Sequence, residues 1–363
     1  MKLIYLIAGT YRAAGMERVL SIKANWLAAH GYEIMIVTIE QKGRPNAFGF
    51  DPSIRFVDLN IGYEDNNGGN FIDKLVKYPF KQLKHRIRLS ALLKREKADI
   101  VVSMFCNDAS FLPSIKDGSR KVLEVHFSRE KRLQYGRTGI WAFADRLRSR
   151  NDLRTVAKFD RFVVLTHEDA TLWGPLPNLQ VIMNPRTFKA PRPSDCCGHQ
   201  VIAAGRYTYQ NGFDLLLQAW KMIDTTGWTL RLAGSGELTG EKLPQNVVTG
   251  PSDRMQEELL ESSIFALPSR YEGLPMVLLE AQASGLPAVC FTCKCGPRDI
   301  ITDGSDGLLI PEGDVRAFAE GLEKLMKDEW LRKAMGSAAY CNSNKYDTEK
   351  IMYQWKNLFE RLS

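Results

Sequence analysis

Two glutamates, Glu272 and Glu280, flank a Gly-Leu-Pro turn and an amphipathic segment in the C-terminal half of the chain. The segment predicts a helix, with Pro275 in its first turn and Gly285 at the position after its end. A helix N-terminus offers unbonded N–H groups and the positive end of a dipole, which together favour a phosphate. Carboxylates accept hydrogen bonds from hydroxyl groups. The spacing therefore predicts a site for a nucleotide-sugar, which carries phosphates between two sets of hydroxyls.

The same region continues into Cys293-Lys-Cys-Gly-Pro297, Asp299-Ile-Ile and Asp303-Gly-x-x-Gly307. Together these motifs resemble the Glu-x7-Glu signature region of the retaining glycosyltransferase family 4, which has the GT-B fold. The resemblance implies that Glu272 contacts hydroxyls of the donor sugar and that Glu280 binds the ribose. It also implies that the backbone N–H groups of Gly273 and Leu274 face sugar or phosphate. An ordinary surface helix with two solvated glutamates does not account for the glycine and proline in front of it.

A cation for the leaving diphosphate is expected after the first strand of the C-terminal half, where Arg206 stands. In the family a Lys-Gly pair follows five residues later, and here that lysine is replaced by Asn211. An amide supplies no charge, and charge-assisted hydrogen bonds are about twice as strong as neutral ones. Three explanations remain open. Lys294 or Arg298 could substitute for the lysine, the enzyme could be slow, or the chain could bind a nucleotide-sugar without turnover.

Glycine turns are the next candidates for donor binding. Gly234 and Gly236 follow a predicted strand and resemble the family's turn beside the nucleotide, although a plain tight turn explains them equally well. In the N-terminal half, Ala14-Gly15 resembles the family's Gly-Gly turn, so that Gly15 lets the backbone approach the diphosphate. His126 ends a predicted strand, where the family often places a histidine near the donor sugar or the reaction centre.

A metal or cofactor is not expected. The chain has no Asp-x-Asp motif, with which metal-dependent glycosyltransferases of the GT-A fold hold a divalent ion. The resemblance implies a metal-independent, retaining hexosyltransferase, in which the donor phosphate takes the acceptor proton. Cys290 and Cys293 suggest zinc, but neither a second Cys-x-x-Cys nor a His pair accompanies them.

Short apolar runs alternate with helical segments along the whole chain, which predicts parallel, doubly wound α/β sheets. We expect one series of strands at Lys2–Ala8, Glu33–Ile39, Ile54–Leu59, Ile100–Met104, Lys121–His126 and Phe162–Thr166. A second series is expected at Gln200–Ala204, Thr229–Ala233, Val247–Val248, Ile264–Leu267, Ala288–Phe291 and Gly307–Ile310. This predicts two Rossmann-like domains of the GT-B type, with the active site in the cleft between them.

The expected boundaries follow from a proline-rich break between the two series. Residues 1–184 are predicted to form an acceptor-binding domain, residues 185–199 a linker, and residues 200–344 a nucleotide-sugar-binding domain. By resemblance, a C-terminal helix in residues 345–363 should pack on the first domain.

Basic residues are concentrated in the N-terminal half of a chain with a formal net charge of +7. Between Asp73 and Lys97 nine cations face two carboxylates, while Val76, Phe80, Leu83 and Ile87 recur at helical spacing. A second cluster comprises Arg129, Lys131, Arg132, Arg137, Arg146, Arg148, Arg150 and Arg154, with Trp141 and Phe143 among them. Either the apolar stripe packs on its own domain, or the helix adsorbs to an anionic membrane. No nucleic-acid-binding module is recognisable.

The sequence thus predicts a glycosyltransferase that moves a sugar from a nucleoside diphosphate donor to a growing glycan, with a lipid-linked or lipopolysaccharide-like acceptor. Seven cysteines without an export signal, and no run of eighteen apolar residues, favour a cytoplasmic protein peripheral to the inner face of the cell membrane. The alternatives are a nucleotide-sugar-binding pseudoenzyme, suggested by Asn211, and a GT-B nucleotide-sugar epimerase, which needs no acceptor.

Overall fold

The computed structural model describes residues 1–66, 71–131, 139–238 and 243–363. Its chain divides into two compact units. Unit 1 comprises residues 1–165, 170–185 and 349–363, and unit 2 comprises residues 166–169 and 186–348.

Unit 1 is built on a parallel seven-stranded sheet with the strand order β3-β2-β1-β4-β5-β6-β7. Its strands are β1 (Lys2–Ile7), β2 (Glu33–Thr38), β3 (Arg55–Asp58), β4 (Ile100–Ser103), β5 (Arg120–Glu124), β6 (Arg161–Val164) and β7 (Leu179–Val181). The helices of this half of the chain are α1 (Gly15–Ala29), α2 (Phe71–Glu96), α3 (Gly139–Val156) and α4 (His167–Trp173). The order places the first strand mid-sheet, so that a topological switch point lies between β1 and β4.

Unit 2 repeats this plan with a parallel six-stranded sheet in the order β10-β9-β8-β11-β12-β13. Its strands are β8 (Gln200–Ala204), β9 (Thr229–Ala233), β10 (Val247–Gly250), β11 (Ile264–Leu267), β12 (Ala288–Phe291) and β13 (Gly307–Ile310). Its helices are α5 (Phe213–Trp220), α6 (Met255–Glu261), α7 (Met276–Ala283), α8 (Pro297–Ile300), α9 (Val315–Lys327) and α10 (Glu329–Asn342). The switch point lies between β8 and β11.

The predicted fold class, two Rossmann-like parallel sheets, is confirmed. All twelve predicted strands form, within two residues at each end, because continuous apolar runs suit strands that are covered on both faces. The strand β7 was not predicted, since Leu179–Val181 is too short to stand out as a pattern. Residues 186–199, for which we expected a linker, are assigned to unit 2, where Ser194 N–H donates to the Ser284 carbonyl.

The final helix, α11 (Thr348–Glu360), contributes to the core of unit 1. Trp355 and Phe359 are fully buried there against apolar residues of β1 and α1. Burial of two aromatic side chains is worth several kcal/mol at about 25 cal/mol per Å² of apolar area.

Helix α2 is basic and helical as predicted, and the structure decides against one of the two interpretations of its apolar stripe. Phe80, Leu83 and Ile87 are 70%, 57% and 60% exposed. The buried face consists instead of residues on the opposite side of the helix: His85, Leu89, Leu92 and Leu93. The interpretation that the Phe80 stripe packs on its own domain is therefore wrong. The side chain of Val76 lies outside the described part of the chain, as do Arg132, Arg137 and the side chains of Trp141 and Phe143.

Across the described ranges, we find no helix with both the length and the apolar character needed to cross a bilayer.

Candidate active site

Glu272 lies on the loop after β11, at the switch point of the unit 2 sheet, where ligands of such folds bind. Its backbone N–H donates to the Lys294 carbonyl at 3.2 Å, and Ser269 Oγ donates to its carboxylate Oε1 at 2.7 Å. Burial raises the pKa of Glu272 to about 7, while the Ser269 hydroxyl and the charge of Arg206 act in the opposite direction. The carboxyl group can therefore gain or lose a proton near neutral pH.

Glu280 lies in α7 and is 4% exposed. Thr187 Oγ1 donates to its Oε1 at 2.7 Å, so a hydroxyl group of the chain itself uses one of the several acceptor positions of this carboxylate. Thr187 was not predicted, because a residue 93 positions away in sequence gives no local signal.

Helix α7 begins one residue later than expected. Pro275 is its N-cap rather than part of its first turn, and Met276 is the first helical residue. The end is as predicted: Gly285 has φ +78°, and its N–H and that of Leu286 donate to the Gln282 and Ala281 carbonyls. This is the Schellman pattern that glycine favours at helix ends.

The expectation that this helix is amphipathic is wrong, because all six residues from Leu278 to Ala283 are buried. Leu274, predicted for its backbone N–H, also has its side chain in the interior.

Arg206 follows β8, on the other side of the same switch point, and its side chain is exposed. Within the described residues its guanidinium has no hydrogen bond or ion pair, and its charge acts to lower the pKa of Glu272. Asn211 Nδ2 donates to the backbone carbonyl of Arg206 at 2.7 Å. The amide predicted to face the diphosphate thus closes the turn that carries the arginine.

Backbone contacts hold the Arg206 loop against the Glu272 loop. Arg270 N–H donates to the Gln210 carbonyl at 2.8 Å, and Gln210 Nε2 donates to the Tyr271 carbonyl at 3.1 Å. Gly212 has φ +66°, and a Cβ there would overlap the Pro268 carbonyl oxygen. The structure therefore brings Arg206, Asn211 and Glu272 together through contacts that depend on a glycine.

The predicted glycine turn after β9 also lies beside this loop. A Cβ at Gly234 would overlap the Gly205 carbonyl oxygen, and Gly236 has φ +129° and forms a parallel bridge with Tyr207. Close packing between these loops is therefore enough to explain why glycine is needed at both positions.

Gly273 lies next to the loop that carries Lys294, one of the two cations considered for the diphosphate. Gly296 has φ +105°, and a Cβ there would overlap Pro275 Cδ and approach the Gly273 carbonyl. Tyr271 and Lys294 form a parallel bridge between the same two loops. The Gly296-Pro297 dipeptide was a turn signal that could have identified this contact.

In unit 1, Gly15 is the first residue of α1 and is exposed, after an N-cap residue, Ala14, that has no capping side chain. Glu17 lies in the same turn, where burial raises its pKa and the charges of Arg12 and His126 oppose the shift. His126 follows β5, and its Nε2 lies 3.1 Å from Oε1 of Glu124. Glu124 was missed because a charged residue inside an apolar strand gives no sign of its partner.

No group of three or more His, Cys, Asp or Glu side chains suited to a metal ion occurs in the described ranges of the chain. Cys290 and Cys293, considered for zinc, are buried free thiols.

Comparison with known proteins gives a family match for part of unit 2. Residues 198–328 match the model of the family described as glycosyl transferases group 1. The chain carries a group 1 glycosyl transferase domain. This glycosyl transferase domain lies within unit 2 and contains Arg206, Asn211, Gly234, Gly236, Glu272, Gly273, Leu274 and Glu280.

Relatives of the whole chain are also glycosyltransferases. The amylovoran biosynthesis glycosyltransferase AmsD of Erwinia amylovora is 28% identical over 379 residues, covering 98% of this chain and 99% of that protein. A Campylobacter jejuni enzyme is 23% identical over 381 residues, covering 99% and 98%; it is named GalNAc-alpha-(1->4)-GalNAc-alpha-(1->3)-diNAcBac-PP-undecaprenol alpha-1,4-N-acetyl-D-galactosaminyltransferase.

Among solved structures, TarM resembles this glycosyltransferase with a TM-score of 0.79 at 16% identity, covering 99% of this chain and 98% of TarM. A Staphylococcus aureus TarM variant in complex with fondaparinux, alpha-GlcNAc-glycerol and UDP gives a TM-score of 0.73 at 16% identity, covering 99% of both chains. At this identity the likeness shows the fold, which is GT-B.

Proposed function

We propose that this group 1 glycosyltransferase is a retaining, metal-independent hexosyltransferase that transfers a sugar from a nucleoside diphosphate donor to a growing glycan. The observation that supports it best is the position of Arg206 and Glu272 on the two loops at the switch point of unit 2, where the charge of Arg206 lowers the pKa of Glu272 against the effect of burial. One group is an exposed cation and the other is a carboxyl that titrates near neutral pH. They suit the two ends of the bond that breaks, which are the diphosphate and the sugar.

The donor is proposed to bind with its diphosphate at Arg206 and the N-terminus of α7. Glu272 then accepts hydrogen bonds from hydroxyls of the sugar, and Glu280 accepts one from the ribose. The TarM structure in complex with UDP supports a nucleotide of this kind. In this scheme the donor phosphate itself takes the acceptor proton, so no Lys or His of unit 2 has to act as a general base.

A second cation for the diphosphate is proposed to come from Lys294. The Lys294 carbonyl accepts a hydrogen bond from the Glu272 N–H, and Lys294 forms a parallel bridge with Tyr271. Lys294 and Arg298 both have partners among the described residues, and Lys294 is preferred because its backbone lies beside Glu272. We expect Lys294→Met to lower turnover and Asn211→Lys to raise it. Unchanged turnover in Asn211→Lys would mean that the missing charge does not limit the reaction.

The acceptor is proposed to be a lipid-linked or polysaccharide glycan. The names of the Erwinia and Campylobacter relatives, with amylovoran biosynthesis and an undecaprenol-linked acceptor, support this class.

We also propose that unit 1 binds the inner face of an anionic membrane through α2. At 100° per residue, Phe80, Leu83 and Ile87 form one exposed stripe, with Lys84 on one flank and Arg86 on the other. Such a face suits the boundary between lipid headgroups and acyl chains. Each basic residue near an anionic surface contributes about 1 kcal/mol.

Sedimentation with vesicles tests the membrane proposal. We expect binding to vesicles that contain phosphatidylglycerol, weaker binding in high salt, and loss of binding in a Phe80→Ser/Leu83→Ser/Ile87→Ser variant. Trp330→Ser is the matched control, because Trp330 is 79% exposed in unit 2. Equal binding of the triple variant and the control would contradict the proposal.

Transfer itself is tested by screening UDP-, GDP- and ADP-sugars with lipid-linked glycan acceptors. We expect turnover in the presence of EDTA and a product with the anomeric configuration of the donor, measured by NMR. Donor interconversion without acceptor would instead indicate an epimerase. Tight donor binding by calorimetry, with no turnover on any acceptor, would indicate the pseudoenzyme.

A further inference from the structure

Three ionisable side chains of unit 1, Lys23, Glu124 and His126, form a buried row. Lys23 Nζ of α1 donates to Glu124 Oε2 at 2.6 Å, and the other carboxylate oxygen, Oε1, lies 3.1 Å from His126 Nε2. The side chains of Lys23, Glu124 and His126 are 1%, 0% and 8% exposed. Glu124 and His126 are two residues apart, which places them on one face of an extended strand.

Burial of this row would be costly without mutual compensation. Lys23 Nζ also lies over the ring of Trp355, 3.4 Å from its centroid, where a cation is attracted to the π face. Burial alone would raise the pKa of Glu124, but the charges of Lys23 and His126 outweigh it and lower that pKa to about 2. Glu124 is therefore an ionised carboxylate, which can only accept hydrogen bonds.

The two nitrogens of His126 have different surroundings. Nε2 is buried and lies 3.1 Å from Glu124 Oε1, close enough for charge attraction but outside hydrogen-bond geometry in this structure. No hydrogen bond joins Nδ1 to any described residue. A carboxylate beside Nε2 favours the neutral tautomer with its proton on Nε2, which leaves Nδ1 with a lone pair. The ring can then accept a hydrogen bond at Nδ1.

We propose that Glu124, held in place by Lys23, is a positioning residue that keeps His126 in the Nε2–H tautomer, so that Nδ1 accepts a hydrogen bond from a ligand hydroxyl. This inference rests on the proposed function, in which that hydroxyl belongs to the acceptor. Glu17 is the other carboxyl whose charge influences His126. A purely structural ion pair would stabilise unit 1 without affecting the tautomer.

The test is imidazole ¹⁵N NMR on the full chain at about pH 9, where an ordinary histidine is neutral. His126→Ala assigns the signal among the five histidines. We expect the Nε2–H tautomer in the wild type and a mixture of tautomers in Glu124→Gln. Lys23→Met/Glu124→Gln removes both charges and serves if the single variant fails to fold. An Nδ1–H tautomer in the wild type, or an unchanged tautomer in a folded variant, would overturn the proposal.

Steady-state kinetics of the wild type and the variants with the same donor provide the second readout. We expect Glu124→Gln to lower kcat with little change in the donor KM, by about the 10- to 100-fold that is lost when a carboxylate orienting a metal-binding histidine is removed. Asp117→Asn is the matched control, because it removes a similarly buried ion pair with Lys121 that does not contact His126. If Asp117→Asn lowers kcat equally, the role of Glu124 is only structural and the proposal fails.

The NMR result separates this inference from the proposed function, because it needs no turnover. A chain without transferase activity on any donor would end the proposed function, while the tautomer of His126 would still be decided by the spectra.

Discussion

One carboxyl group in each unit, the half-buried Glu272 and the fully buried Glu124, has a shifted pKa, and the two shifts are in opposite directions. Burial raises the pKa of Glu272 in unit 2 to about 7, whereas the pKa of Glu124 in unit 1 falls to about 2. The difference is the partner. Glu124 lies 2.6 Å from the ammonium of Lys23, while Glu272 accepts a hydrogen bond from the neutral hydroxyl of Ser269.

This contrast indicates two ways to build a site. In unit 1 a buried cation holds its carboxylate in one charge state, so the group acts as a fixed support. In unit 2 the Glu272 carboxyl forms no ion pair with any residue that the structure describes and is held by loops, so its charge can respond to a ligand. A donor that brings hydroxyls to Glu272 would favour the ionised form, because that form accepts more hydrogen bonds.

The largest effect is expected from the cation of unit 2. Arg206→Ala should lower kcat/KM for the donor about 100- to 1,000-fold, because it removes charge stabilisation of the leaving diphosphate. Steady-state kinetics with the identified nucleotide-sugar measure this loss. Arg254→Ala is the control, since Arg254 is also a unit 2 arginine but pairs with Glu257. A loss below about threefold, or about 0.6 kcal/mol, would remove Arg206 from the mechanism.

Gly212→Ala tests the close contact between the Arg206 loop and the Glu272 loop. An alanine in the left-handed region costs about 1–2 kcal/mol, and overlap with the Pro268 carbonyl adds about 1–3 kcal/mol more. Gly313→Ala isolates the overlap, because Gly313 has a similar φ of +79° with no atom within 4 Å of its Cβ position. Urea unfolding compares the two. Equal destabilisation would show that the close contact contributes nothing.

Substitutions of Glu272 and Glu280 should have different effects. Glu280→Ala should weaken nucleotide binding about 10- to 100-fold, since hydrogen bonds to a charged group are worth about 1.5–3 kcal/mol. Glu272→Ala should mainly lower kcat. Calorimetry with the nucleotide and steady-state kinetics measure the two effects, with the exposed Glu257→Ala as the control. Equal effects on affinity alone would argue against the assigned roles.

The smallest effect is the pH dependence of stability, which compares the two carboxyls directly. Glu272 has a folded-state pKa above its ordinary value of 4.5, so the folded chain binds the extra proton between these pH values. Wild-type stability, relative to Glu272→Gln, should therefore fall by about 1–3 kcal/mol as pH rises from 4.5 to 7. Urea unfolding across this range measures it.

Glu124 should show the opposite sign. Its lowered pKa means that its contribution is present above pH 4.5 and is lost as pH falls towards 2. If the contributions of Glu272 and Glu124 to the free energy of unfolding changed in the same direction with pH, the comparison between the units would fail.

Much of the fold was predictable from the chain, and so was part of the site. The predicted strand positions hold because buried parallel strands require continuous apolar runs, which are visible locally. The ends of α7 were predictable to within one residue from Pro275 and Gly285. The partners of the site residues were not, since Ser269, Thr187 and Glu124 have no pattern that reveals their contacts.

The residue types and spacing alone determined the two sheets, the loops that follow β8 and β11, and the resemblance to a glycosyltransferase. Tertiary structure decided which face of α2 is buried. The helix has two apolar stripes, one around Leu83 and one around Leu89, and periodicity cannot say which of them another element covers. It also decided the charge states, because Lys23 reaches Glu124 across 101 residues of sequence. A pKa depends on burial and on neighbouring charges, and both arise only when distant segments pack together.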